Sequence, residues 1–232
     1  MFSKSNELLI KVLPKPIVRI LSRRILKKYL NKYANIEIMG QENLEKVKKP
    51  TIFISNHLSN SDALVLNHVL KDQDLTFVAG IKLSKNPITN VGILIIKTTL
   101  IKPNSPDKDG IKRIINIIKD GNNVLLFPEG TRSRTGGMIE AKKGILLIAK
   151  LSKAEIVPVG IWGTEKLLPI DNKDMAAEHF HYADVKTRIG EPFSLPDKEK
   201  DEDRKDYEER AMNYIMKNIS NLLPENYKGF YK

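Results

Sequence analysis

The sequence predicts an α/β fold, a mostly parallel central sheet flanked by helices, preceded by a basic amphipathic two-helix segment. Three observations predict it. Beyond Gly40, apolar runs of strand length alternate with stretches whose apolar residues recur at helical spacing. Thr51–Ser55 is apolar enough to be a strand buried on both faces. Residues 1–35 hold nine Lys or Arg against Glu7 alone, so they supply +8 of the net charge of +11.

The lead comes first. Leu8, Leu9, Val12 and Leu13 precede a break at Pro14 and Pro16, after which Ile17, Val18, Leu21, Ile25 and Tyr29 share a helical face. This spacing predicts a helix, a bend and a second helix. Basic side chains with long apolar stems beside such a stripe suit a helix lying among lipid headgroups; equally, the stripe can pack on the core, and one helix can do both. The division expected is a membrane-association segment over 1–38 and an α/β domain over 39–232.

Within that domain Thr51–Ser55, Leu75–Ala79, Thr98–Ile101, Val124–Phe127, Ile156–Ile161 and Val185–Ile189 read as strands. Between them Asp62–Leu70, Asp109–Lys119 and Ala141–Leu151 read as helices, the second with Ile111, Ile114, Ile115 and Ile118 on one face. Asp197–Arg210 is charged throughout and leads into Ala211, Ile215, Ile219 and Leu222, a solvated entry to a last helix.

Several function classes are excluded or disfavoured. At 232 residues, 41% of them hydrophobic, the chain has material for one substantial core. Having no cysteine, it offers no catalytic thiol, thiolate metal site or disulfide, and His57, His68, His179 and His181 do not form a zinc-type set. No secretory signal is evident, and no apolar run approaches the roughly 18 residues of a spanning helix. Nucleic-acid binding is disfavoured because the positive charge is concentrated on an apolar-striped lead with no accompanying nucleic-acid motif.

Two segments carry the chemistry. Asn56-His57-Leu58-Ser59-Asn60-Ser61-Asp62 follows a strand's end, where α/β sheets place their ligands. Ser59 or Asn60 can cap the next helix, leaving Asp62 in its first turn. An Asp that accepts from one imidazole nitrogen fixes the tautomer and raises the basicity of the other; a capped surface His is the plainer alternative. Phe127-Pro128-Glu129-Gly130-Thr131-Arg132-Ser133 also follows a strand. Gly130 permits a tight turn that aims Glu129 and Arg132 across the sheet end toward His57, and a guanidinium suits a phosphate. An ordinary turn with a surface ion pair is the alternative there.

Together with Lys142-Lys143-Gly144 and Ile156-Val157-Pro158-Val159-Gly160, these blocks resemble in order and separation those of the bacterial 1-acylglycerol-3-phosphate acyltransferase family, within the wider group of glycerolipid acyltransferases. The resemblance spans about residues 40–190. It implies His57 and Asp62 as the catalytic pair, Glu129, Gly130, Thr131 and Arg132 as binders of the glycerol phosphate, and Pro158 in a strand that shapes the site. One block departs from the pattern. Where the family carries an Arg, Val91–Asn104 has only Lys97 and Lys102, of which Lys102 is the better phosphate partner.

The reaction implied moves a fatty acyl group from a thioester on coenzyme A or acyl carrier protein to the sn-2 hydroxyl of 1-acyl-glycerol 3-phosphate, giving phosphatidic acid in phospholipid synthesis. Neither metal nor cofactor beyond the donor is implied. The serines near His57 lie outside any Gly-x-Ser-x-Gly elbow, so direct attack without an acyl-enzyme is expected. Glycerol 3-phosphate or another lysophospholipid is the alternative acceptor, and an inactive membrane-surface binding protein of the same fold the alternative role. The implied location is the cytoplasmic side of the cell membrane, peripheral or monotopic, with residues 1–35 as the contact.

Overall fold

The computed structural model describes residues 15–84, 96–103, 105–171 and 178–232. In chain order the elements are α1 (Lys15–Tyr33), β1 (Ala34–Met39), β2 (Thr51–Ser55), α2 (Asp62–Val69), β3 (Thr76–Gly80), β4 (Thr98–Ile101), α3 (Lys108–Lys119), β5 (Val124–Leu126), α4 (Gly144–Ser152), β6 (Glu155–Trp162), α5 (Thr164–Leu167), β7 (Ala183–Ile189) and α6 (Arg204–Ser220), with short 3-10 turns between some of them. The strands form one sheet in the order β1-β7-β6-β2-β5-β3-β4. Every neighbouring pair is parallel except β6 and β7. A mostly parallel sheet flanked by helices is therefore the fold, as the alternation of apolar runs predicted.

Side chains alternate across each strand, so successive residues feed opposite layers. Ile52 and Ile54 join one apolar cluster with Ile114 and Ile118 of α3, Ile145 and Ile148 of α4, and Ile215 and Ile219 of α6. Phe53 joins the other, with Leu26 and Leu30 of α1 and Val65 and Leu66 of α2. All five residues of β2 are buried, because both faces and both edges of that strand are covered. Helix α3 starts where the Asp107 side chain accepts from Gly110 N at 3.0 Å, and α6 where Asp203 accepts from Asp206 N at 2.8 Å.

The lead ends earlier than residue 38: the helix stops at Tyr33 and Ala34–Met39 continues as β1, pairing in parallel with β7. The first helix expected of the lead falls in residues 1–14, outside the described residues. In α1, Ser22, Leu26 and Leu30 are buried, while Ile17, Ile20, Leu21 and Ile25 are 41–54% exposed. Among the described residues no helix is long and apolar enough to cross a membrane.

The site is placed by two adjacent parallel strands. β2 and β5 pair with Ile54 opposite Leu126, so the loops that begin at Asn56 and Phe127 leave the same end of the sheet side by side.

Candidate active site

Asn56 continues the β2–β6 ladder with its side chain: Nδ2 donates to Ile161 O at 2.8 Å and Oδ1 accepts from Ile161 N at 2.9 Å. The backbone is thereby free to turn, and His57 is gripped by the neighbouring loop. His57 N donates to Glu129 Oε1 at 2.7 Å, and its carbonyl accepts from Ser133 N at 2.7 Å. The imidazole stacks on Phe127 with ring centroids 4.1 Å apart.

Asp62, fully buried at the start of α2, explains the spacing of five. Its Oδ2 sits 2.7 Å from His57 Nδ1 and accepts from Leu58 N at 2.6 Å and Ser59 N at 2.8 Å, so the intervening chain wraps around one carboxylate oxygen. Oδ1 has no hydrogen-bond partner among the described residues. An acceptor at Nδ1 sets the proton there and leaves Nε2 with a free lone pair. Neither Ser59 nor Asn60 caps the helix: Ser59 and Ser61 instead donate to Leu168 O and Thr164 O, tying the loop to α5.

Glu129 is placed differently from the sequence expectation of a substrate-facing carboxylate. It is fully buried, and both oxygens are engaged by backbone amides, His57 N on Oε1 and Ile139 N on Oε2, each at 2.7 Å. Here it acts as a strut between the two loops. Gly130, with φ +71°, makes the tight turn, its N–H donating to Phe127 O at 3.0 Å. The far end of the loop is backed by residues near the chain's other end: Met138 N donates to Tyr227 O and Phe230 N to Met138 O, both at 2.9 Å. The approach is close, since a Cβ on Gly137 would lie 2.8 Å from Gly229 Cα.

Burial pushes the Glu129 carboxyl up from 4.5 to about 7, the two amide bonds opposing the shift and the Asp62 charge adding to it. The folded protein therefore holds a proton that the unfolded chain releases between pH 4.5 and about 7. Stability from this group is complete below the lower value and is lost as pH rises through the upper one, by of order 3 kcal/mol. Glu129→Gln is expected to flatten that decline, and, by facing one amide with an NH2 group, to cost about 1–3 kcal/mol. Denaturant titrations of both proteins across this pH range check it; parallel pH profiles would remove Glu129 as the source.

A cavity of about 1050 Å³ opens at this end of the sheet, lined by His57, Asn60, Lys102, Gly130, Thr131 and Arg132 and walled by apolar side chains including Leu26, Ile96, Ile114 and Ile145. Lys102 is exposed on its wall, whereas Lys97 pairs with Asp74 at 3.0 Å away from it. Residues 91–95 and 104 of that block lie outside the described residues. Pro158 is buried within β6 opposite Ile54 and does not line the cavity. Among the described residues no His, Asp and Glu group suited to a metal ion occurs. Three partners escaped the sequence reading: Phe127 beneath His57, Ser133 on its carbonyl, and Glu178, whose Oε1 accepts from Arg132 Nη1 at 2.7 Å. Phe127 and Ser133 lay in a motif already singled out, but no spacing signal marks Glu178.

Among curated proteins, the chain is 30% identical over 159 residues to a chloroplastic 1-acyl-sn-glycerol-3-phosphate acyltransferase of Brassica napus, covering 68% of this chain and 44% of the relative. It is 26% identical over 206 residues to the 1-acyl-sn-glycerol-3-phosphate acyltransferase of Bacillus subtilis, covering 86% of this chain and 96% of that one. The chain thus spans less than half the length of the plant relative and nearly all of the bacterial one. The crystal structure of the 1-acyl-sn-glycerophosphate acyltransferase PlsC from Thermotoga maritima superposes with a TM-score of 0.62 at 23% identity, covering 90% of this chain and 79% of that chain, a likeness of fold. The family model described as Acyltransferase matches residues 35–162, more than half of the sequence and both motif loops, and the chain belongs to that family.

Proposed function

We propose that the chain transfers a fatty acyl group from an acyl thioester to the sn-2 hydroxyl of 1-acyl-glycerol 3-phosphate. The observation that carries this reading is a His57–Asp62 pair at 2.7 Å on the wall of a largely apolar cavity that also bears Arg132 and Lys102. His57 Nε2 takes the hydroxyl proton as the oxygen attacks the thioester carbonyl, and Asp62 steadies the imidazolium. The tetrahedral intermediate collapses, the carbon–sulfur bond breaks, and the leaving sulfur recovers the proton from Nε2. Arg132 and Lys102 neutralise the phosphate, while each acyl methylene buried against the apolar walls contributes about 0.8 kcal/mol to binding. Those walls favour an acylated acceptor over glycerol 3-phosphate.

Purified protein supplied with lysophosphatidic acid and, separately, acyl-coenzyme A or acyl carrier protein is expected to yield phosphatidic acid and one free thiol per ester formed. No product with either donor would refute the reading, and faster turnover of glycerol 3-phosphate would reassign the acceptor.

The exposed stripe of α1, with Arg24, Lys27 and Lys28 also exposed on that helix, suits a peripheral contact with an anionic bilayer, where each cation contributes about 1 kcal/mol. Replacing Ile17 and Ile20 by Glu is expected to abolish flotation with anionic vesicles. Unchanged flotation would assign the contact to another surface.

A further inference from the structure

Glu178 belongs to no motif, lies 46 residues from Arg132 in sequence, and joins the two active-site loops. Its Oε1 accepts from Arg132 Nη1 and its Oε2 from Asn60 Nδ2, each at 2.7 Å, and all three residues line the cavity. The Glu178 and Arg132 side chains are only 2% and 16% exposed. A pair so far removed from water gains little over an apolar replacement, because desolvation offsets most of the attraction, so stability alone is a poor account of its presence.

The carboxylate is itself held in place. It stands on the irregular segment before β7, where Phe180 packs against Tyr29 and Tyr33 of α1 with ring centroids 5.5 Å and 6.3 Å away, and His181 N donates to Leu167 O at 2.9 Å. One guanidinium nitrogen is committed to it, and among the described residues no other hydrogen bond engages that guanidinium. The remaining donors of the fork are left for a ligand oxygen.

We infer that Glu178 is a positioning residue for the phosphate of the acceptor: it holds Arg132 ready on the cavity wall and, through Asn60, keeps that grip in register with His57. The inference rests on the reading of the site as an acyltransferase that takes a phosphate-bearing acceptor. A free arginine side chain must be immobilised when ligand binds; one already immobilised has met that cost during folding.

The test measures kcat, acceptor KM, donor KM and melting temperature for the wild type, Glu178→Ala, Glu178→Gln, Arg132→Ala and the double variant Glu178→Ala/Arg132→Ala. Freezing one long side chain corresponds to about a five- to tenfold rise in acceptor KM for Glu178→Ala, with kcat and donor KM within about twofold. Glu178→Gln, which retains an oxygen for Arg132, is expected to recover most of the loss. In the Arg132→Ala background Glu178→Ala should change acceptor KM no further, because its effect passes through that guanidinium. An unchanged acceptor KM overturns the inference, as does an effect that survives in the Arg132→Ala background. A lower KM in Glu178→Ala overturns it too, since that is the mark of a carboxylate competing with the phosphate.

Calorimetric binding of lysophosphatidic acid without donor separates this inference from the reaction. Binding that weakens in Glu178→Ala upholds the positioning role even if no acyl transfer occurs. Equal binding by both proteins, or none by the wild type, overturns it.

Discussion

His57→Ala is expected to lower kcat for acyl transfer by on the order of 10³-fold, the contribution of a positioned general base, with acceptor KM and fold largely retained. Retention of the fold follows from how the residue is held. Glu129 and Ser133 grip its main-chain N–H and carbonyl, neither of which the substitution touches. The ring lines an open cavity and is 19% exposed, so water fills the space it leaves and no sealed void forms in the core. Asp62 loses one of three donors and keeps the amides of Leu58 and Ser59. Thiol release and phosphatidic acid formation at saturating substrates measure the effect; a fall of less than about tenfold would remove His57 as the base.

Asp62→Asn tests the carboxylate's charge apart from its shape. Three donors converge on Oδ2, and an asparagine carbonyl placed there accepts all three, while its NH2 group falls where Oδ1 has no partner. Loop geometry and tautomer are therefore kept, and the negative charge opposite the developing imidazolium is lost. The expected result is a fall in kcat of roughly 10²- to 10⁴-fold. Exchanging one unsatisfied buried group for another keeps the stability change near 1 kcal/mol, or about 2–4 °C in melting temperature. Nearly full activity would show that position, not charge, is what Asp62 supplies.

The sheet was legible in the sequence because its central strands are apolar on both faces and its helices carry apolar stripes; Thr51–Ser55 falls where expected, as does the edge strand Thr98–Ile101. β1 was hidden, since Ala34–Met39 carries Asn35 and Glu37 and is joined directly to a basic helix, and its pairing with β7 makes a strand of it. His57 and Asp62 could be read as a pair from their spacing, but the wrapping of Leu58 and Ser59 amides around Oδ2 could not. Glu129 shows the limit most clearly. A glutamate beside a glycine turn suggests outward chemistry, whereas in the fold its two oxygens are taken by the amides of His57 on the neighbouring loop and Ile139 further along its own. Glu178 required the folded chain, because nothing local distinguishes it from a solvated glutamate.

The loop bearing Glu129 and Arg132 is braced at Met138 by Tyr227 and Phe230, residues that lie beyond all seven strands in the chain. Ribosomes deliver a chain from its amino end, so β1 to β7 can collapse while the bracing segment is still unsynthesised. In a nascent chain that brace is therefore among the last contacts able to form, because Tyr227 and Phe230 follow every strand in sequence.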